Sequence, residues 1–396
     1  MRLAYLVSHP IQYQAPLLRR IAQEPDIDLT VFFGSGFSVR NYQDEGFGVD
    51  IQWDIPLLEG YRYEFLPSIH DTGRPTVFSP LSYGLFTRLR RGNFDVLWVH
   101  GYATANALHG MIAARALGIP VLLRAESWLR DRTRSRWKLA AKRGFFALLR
   151  PFVSGVMPIG SLNDAYWSRY LGDEIPRIRM PYAVDNRFFQ ERSAAASLRR
   201  SDLQAELGLD PKRPVILFAS KLQERKNCAD LIAAYARLQA LAPLPYLVIV
   251  GDGEQRLTLE KQAQSTGSDS IRFCGFRNQS ELPRFFDLAS VFVLPSRHEP
   301  WGLIVNEVMN AGRAVVLSSD AGCQPDLVTD GVEGCVFPAG DVDALVNALL
   351  RVLAVPGAVA RMGENARARI DKWSFEEDVL GLRKAIAHIT HKSTHP

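Results

Sequence analysis

Short, unbroken apolar runs alternate with amphipathic stretches along most of this chain. Leu3–Val7, Leu29–Phe33, Asp95–His100, Val121–Leu123 and Gly155–Ile159 are each too short for a core helix. They do not alternate apolar with polar, so they read as strands buried on both faces of a parallel sheet. Helical spacing fills the gaps at 15–23, 103–117 and 161–170. The block Tyr42–Pro80 is irregular, rich in Gly, Pro and aromatics, and too long for an ordinary connection. The pattern breaks at Met180–Asp185, and the polar, Ser/Ala/Arg-rich run Glu191–Arg200 reads as a linker. A second series then begins: Pro214–Phe218, Leu247–Gly251, Ile271–Cys274, Val291–Leu294, Ala314–Leu317 and Gly334–Phe337, with Asp341 placed to cap a helix at 342–353. The expectation is an α/β protein of two successive doubly wound, Rossmann-like domains, 1–190 and 191–374, followed by a closing segment 375–396.

Composition narrows the class. With 396 residues, 47% hydrophobic and 22% charged, the chain can bury two ordinary cores and is not disordered. Met1–Val7 is interrupted too soon by Ser8-His9-Pro10 for a signal peptide, and no apolar run approaches the ~20 residues of a membrane span. The four cysteines show no Cys-x-x-Cys pairing and read as reduced thiols of a cytoplasmic protein. The net charge of +5 is modest but clustered. Arg130, Arg132, Arg134, Arg136, Lys138, Lys142, Arg143 and Arg150 face a single acid, Asp131, and are interleaved with Trp128, Trp137, Phe145 and Phe146. A basic, aromatic helix of this kind suits an anionic membrane surface, and equally a solvated helix whose aromatics face the core. No nucleic-acid motif accompanies it.

The chemistry concentrates in Ser296–Val316. Glu299 and Glu307 are eight positions apart, with Pro300-Trp301-Gly302 after the first. The strand ending before Glu299 puts it at a strand-to-helix turn, where ligands of open α/β sheets bind, and puts Glu307 inside the next helix. The amides of Gly302, Leu303 and Ile304 would open that helix toward an anion. Eight helical residues span roughly 12 Å, too far for the carboxylates to share one proton or metal, but right for a long ligand held at two places. Hydroxyls beside phosphates describe a nucleotide sugar.

This segment resembles the glutamate-x7-glutamate motif of retaining GT-B glycosyltransferases of family four (glycosyl transferases group 1), with Val308, Asn310 and Ala314 as departures. The resemblance covers most of 180–390 and implies a GT-B fold, two Rossmann-like domains facing each other across a cleft that holds the active site. The last helix, 375–389, resembles the family's closing segment, which returns to the N-terminal domain. The implied activity is transfer of a sugar from a nucleoside-diphosphate sugar to an acceptor hydroxyl with retention, without metal or other cofactor, UDP being favoured over GDP. Glu299 would hold donor-sugar hydroxyls and Glu307 the ribose. Ala219–Asn227 resembles the phosphate-binding segment, with Lys221 at its Arg position, Lys226 matching its Lys and Asn227 replacing its Gly. Gly251-Asp252-Gly253-Glu254 matches the glycine turn near the donor and lacks the third glycine of a dinucleotide fingerprint. Ile271–Phe276 matches the base-holding segment, making Phe276 and Arg277 base-contact candidates. Ser318–Asp326 occupies the usual Gly-Gly-x-x-Glu region.

The N-terminal half departs more. His9, Gln12 and Tyr13 stand where relatives carry a Gly-Gly loop, and are acceptor-side candidates. Relatives place a His after the strand matching Val121–Leu123; here Glu126 takes that place and His100 is the nearest histidine. A lone histidine is more often structural than catalytic, and Arg124 and Glu126 are equally readable as an internal ion pair. Asp26-Ile27-Asp28 and Asp341-Val342-Asp343 read as local structure rather than a metal site. The acceptor expected is a glycan or lipid-linked sugar in cell-envelope polysaccharide or glycolipid synthesis, with the enzyme peripheral on the inner face of the membrane. A catalytically inactive relative, a sugar-phosphate synthase or phosphorylase, and an NAD-dependent oxidoreductase are the alternatives.

Overall fold

The computed structural model describes residues 1–44, 46–73, 76–130, 134–240 and 244–392. The chain divides into two compact units. Unit 1 holds residues 1–42, 55–182 and the segment from Phe375 onward; unit 2 holds Gln43–Asp54 and Ala183–Ser374.

The core of unit 1 is a six-stranded parallel sheet of β1 (Arg2–Val7), β2 (Asp28–Phe33), β3 (Arg62–Phe65), β4 (Val96–His100), β5 (Val121–Arg124) and β6 (Gly155–Val156), in the order β3-β2-β1-β4-β5-β6. Unit 2 repeats this arrangement with β7 (Val215–Ala219), β8 (Tyr246–Val250), β9 (Ile271–Phe273), β10 (Val291–Leu294), β11 (Ala314–Ser318) and β12 (Gly334–Phe337), ordered β9-β8-β7-β10-β11-β12. Both are doubly wound sheets whose strand order reverses once, between β1 and β4 and between β7 and β10. A crevice at the carboxyl ends opens at such a reversal. The continuous apolar runs are the physical cause: β7, β8, β10 and β11 are buried at every residue, as helices on both faces require.

Three sequence expectations change. The irregular block contains the edge strand β3, whose Arg62-Tyr-Glu-Phe65 is mostly exposed and so carries no buried-strand pattern. The run read as a linker is helical: Asn186–Ser197 starts where the Asp185 carboxylate accepts from the Phe188 amide, and Arg200–Leu207 follows. Only Phe189 and Ser193 of the first helix are buried, which is why the run looks polar. The basic helix begins at Arg136 and ends at Leu149. Asp131 and Arg132 lie outside the described residues.

The closing helix Phe375–Lys392 belongs to unit 1 and is tied there by charge. Asp378, fully buried, meets Arg124 at 3.3 Å; Glu376 meets Arg20 at 2.7 Å; Asp26 meets Arg383.

Candidate functional site

In unit 2 the sequence candidates converge on the strand reversal. Behind β7, a tight turn at Glu224–Lys226 brings Lys226 under the surface, where its Nζ meets the Glu299 carboxylate that follows β10. Lys226 is 8% and Glu299 6% exposed, so the pair is nearly dry. Burial holds the Lys226 ammonium below the usual lysine range, against the opposing pull of Glu299. Arg225 adds a second cation, 3.5 Å from the same carboxylate. The Glu299 peptide is fixed on both sides: its amide donates to Asp320 O at 3.0 Å and its carbonyl accepts from Gly322 N at 3.0 Å. His298, just before it, is held in the left-handed region at φ +57°, a conformation that persists only where the surroundings enforce it.

After Glu299, Trp301 stacks on Trp373 (5.6 Å between centroids, 18° between planes) and donates to Asn306 Oδ1 at 3.0 Å. Gly302, at φ +95°, then turns the chain into helix Leu303–Asn310. Leu303 and Ile304 form that helix's first turn, and Glu307 lies one turn further in, fully buried. Gly251 follows β8 at φ +134°, and a Cβ there would lie 1.9 Å from Ser220 O, so the glycine is obligatory where the β7 and β8 loops touch.

Two base-side candidates are engaged within the unit. Arg277 donates to Cys274 O at 3.2 Å and pairs with Glu281 at 3.3 Å. Phe276 packs edge-on against Phe47, with ring centroids 4.8 Å apart. Lys221 is paired with Asp44 at 2.7 Å. Asp44 and Phe47 lie outside every motif, and sequence reasoning missed them. Arg225 was missed as well, although it adjoins Lys226 and its charge was the available signal.

In unit 1 the candidates gather at the carboxyl ends of β1, β4 and β5. His9 Nδ1 lies 2.8 Å from Ser8 Oγ, and its ring packs on Phe37 at 4.4 Å. Gln12 and Tyr13 are half-buried at the turn into helix Gln14–Ile21, which Tyr5 fastens by donating to Gln14 Oε1 at 2.7 Å. Burial pushes His9 down to about 4. Burial, with Arg124 and His9 adding to it, pushes His100 down to about 3. Both rings are therefore neutral at pH 7. His100 Nε2 is 3.8 Å from Glu126 Oε1, and the Tyr182 hydroxyl donates to the same carboxylate oxygen. Arg124 does not turn to Glu126 for its ion pair. It reaches Asp378, donates to Pro181 O at 2.7 Å and lies over the Tyr182 ring. Both Asp-x-Asp pairs serve the scaffold: Asp26 and Asp28 hold Arg383 and Arg62, Asp341 caps its helix and Asp343 holds Arg237.

Comparison with known proteins agrees with this layout. Residues 199–369 match the family model described as glycosyl transferases group 1. The alpha-D-kanosaminyltransferase of Streptomyces kanamyceticus is 32% identical over 189 residues, 48% of each chain. A GDP-mannose-dependent alpha-(1-6)-phosphatidylinositol monomannoside mannosyltransferase of Mycolicibacterium smegmatis is 32% identical over 206 residues, 50% of this chain and 52% of the relative. These matches thus span about half the length of the curated relatives. Among solved structures, Anabaena HepE in complex with UDP superposes with a TM-score of 0.75 at 18% identity, covering 98% of this chain and 100% of the other. The fold is GT-B, and its unit 2 carries the glycosyltransferase match.

Proposed function

We propose that this protein is a retaining glycosyltransferase of family four, which moves a sugar from a nucleoside-diphosphate sugar to an acceptor hydroxyl without a metal. One observation carries the reading: Lys226 and Glu299 meet across the strand reversal of unit 2, beside Lys221 and the helix that Gly302 opens. Cations fixed at a strand end bind a diphosphate and stabilise it further as charge builds on the leaving phosphate. Glu299, already engaged by Lys226 and Arg225, holds hydroxyls of the donor sugar rather than attacking the anomeric carbon. Glu307 serves the ribose, Gly251 shapes the donor turn, and Phe276 and Arg277 frame the base. With no protein nucleophile assigned, the departing phosphate activates the acceptor on the same face.

Unit 1 supplies the acceptor side. Neutral His9 and His100, the Glu126 carboxylate, Gln12 and Tyr13 are hydrogen-bonding groups suited to sugar hydroxyls. The acceptor is a glycan or glycolipid of the cell envelope, in keeping with the phosphatidylinositol mannoside named for one relative. UDP comes before GDP as the donor's nucleotide in this reading, in keeping with one structural neighbour solved with UDP, while the mannosyltransferase relative is named GDP-mannose-dependent. The enzyme works at the inner face of the membrane, which it meets through helix Arg136–Leu149.

The test is thermal-shift binding of UDP, GDP and NAD(H), with Glu307→Ala alongside. One nucleoside diphosphate should stabilise the protein, and the variant should lose most of that shift. Stabilisation by NAD(H) alone, or by none of them, would overturn the reading. Proton NMR of the transferred sugar then reports whether the anomeric configuration is kept.

A further inference from the structure

Twelve residues that precede β3 in sequence, Gln43–Asp54, are built into unit 2. Two short strands, Tyr42–Asp44 and Val49–Ile51, pair with each other, and Ile51 is fully buried as the anchor. The far end is fastened beyond β9, where Asn278 donates to Gln52 O at 2.6 Å and Ser280 N donates to Asp54 Oδ2 at 3.2 Å. The segment therefore forms a strap across the carboxyl ends of β7, β8 and β9.

The middle of the strap meets the residues assigned above to the donor. Asp44 Oδ1 accepts from Gly46 N at 2.8 Å and from Phe47 N at 3.0 Å, which folds the strap into a turn, and the same oxygen takes Lys221 Nζ at 2.7 Å. The turn fits closely: a Cβ on Gly46 would lie 2.6 Å from Lys221 Cδ, and one on Gly253 would lie 2.9 Å from Gly46 O. Phe47 is wedged between Lys221, whose Nζ is 4.7 Å from its ring centre, and Phe276 at 4.8 Å. A purely structural strap needs only apolar packing. This one sets a carboxylate on a cation and an aromatic ring on the aromatic neighbour of the base segment, so it imitates the charge and the ring of a nucleotide.

We infer that the strap is an internal competitor for the donor: Asp44 occupies Lys221 as a phosphate oxygen would, Phe47 covers Phe276, and both must yield before a nucleoside diphosphate is fully bound. The inference rests on the donor-site reading given above. Donor affinity is then set partly by the strap, and Asp44 and Phe47 are residues that determine it.

Calorimetric titration of the full chain with inorganic pyrophosphate, UDP and GDP tests this in wild type, Asp44→Asn, Phe47→Ala and Lys221→Ala. Asp44→Asn should lower the Kd for pyrophosphate and the preferred nucleotide by roughly three- to tenfold, the scale of a partly shielded charge pair. Phe47→Ala should tighten the nucleotide more than pyrophosphate, because only the nucleotide carries a base. Lys221→Ala should weaken both ligands. If Lys221→Ala binds as wild type does, or if no ligand binds any of the four proteins, the diphosphate reading falls and the competitor with it. If Lys221→Ala weakens binding while Asp44→Asn leaves it unchanged, only the competitor is lost. Weaker binding in Asp44→Asn would show a strap that helps to hold the donor, which also overturns the proposal. Thermal unfolding of each protein alone confirms that the variants are folded.

Discussion

Lys226 and Glu299 meet as a salt bridge where neither has much water, and this makes the pair expensive to break from one side. Replacing Lys226 by Met leaves the buried Glu299 carboxylate with Arg225, 3.5 Å away, as its one remaining ion partner among the described residues. Loss of one member of a buried pair costs roughly 3 kcal/mol, whereas replacing both members by neutral groups is often close to neutral. Lys226→Met should therefore lower the urea midpoint clearly, and Lys226→Met with Glu299→Gln should recover much of the loss. A double variant no more stable than the single one would sink this account of the pair. On the proposed reading, transfer activity should behave differently and fall roughly a hundredfold or more in both, because the donor contacts assigned to the pair are lost either way. At this scale the sequence was informative where residues sit within a continuous motif: Glu299, Gly302 and Glu307 in one and Lys226 in another are placed by local turns that short-range pattern reveals. Asp44 and Phe47 were illegible because their partners, Lys221 and Phe276, are far along the chain, and nothing local to Asp44 announces a cation.

Helix Arg136–Leu149 shows how an element can have two apolar faces with different meanings. Phe146 and Leu149 are buried and hold the helix to unit 1. On the opposite side, Trp137, Ala141, Gly144 and Leu148 recur at four- and three-residue spacing and form one exposed stripe, with Trp137 69% and Leu148 77% exposed. Arg136, Lys138 and Arg143 flank the stripe and are exposed as well. Apolar side chains bordered by cations suit the headgroup boundary of an anionic bilayer. The full chain should co-sediment with vesicles rich in phosphatidylglycerol, be released by moderate salt, and lose most of the binding in Trp137→Glu with Leu148→Glu. Equal binding to neutral vesicles, or none at low salt, would reject the role. The sequence had left open whether the aromatics face core or solvent, and the answer is that they divide: Phe146 is buried and Trp137 exposed. Strands were legible as elements wherever both faces are covered, since burial then forces an unbroken apolar run. They failed at the edge strand β3, where two solvated sides erase the pattern, and the helix at Asn186–Ser197 was hidden because one Phe anchors it.

Over the whole chain, three titrating groups of unit 1, Asp378 fully buried and His9 and His100 half-buried, make stability depend on pH in opposing directions. His9 and His100 are held near 4 and 3 against an ordinary value of 6.5, so as the pH falls from 6.5 to 5 the unfolded chain takes up protons that the folded one refuses, approaching two near pH 5. Their contribution is present above pH 6.5 and is lost as the pH falls through that window. Asp378 works the other way. Burial lifts it to about 7 from 3.8, against the pull of Arg124, so the folded state keeps a proton that the unfolded chain has released. Its contribution is present at acid pH and is lost as the pH rises toward 7. Near pH 5 almost two protons stand against one, a net slope of about 1.4 kcal/mol per pH unit that shrinks toward pH 6.5 as the unfolded histidines lose their own protons, so stability rises over this window. Asp378→Asn removes the opposing group while keeping an amide that can face Arg124, so the slope over this window should roughly double. His100→Gln should nearly flatten it in the wild-type background. Urea midpoints at half-unit steps from pH 5 to 7 decide the matter. Parallel curves for wild type and Asp378→Asn would mean that Asp378 stays ionised beside Arg124 throughout, and that the closing helix is held by a permanent ion pair rather than by one that forms as the pH approaches neutrality.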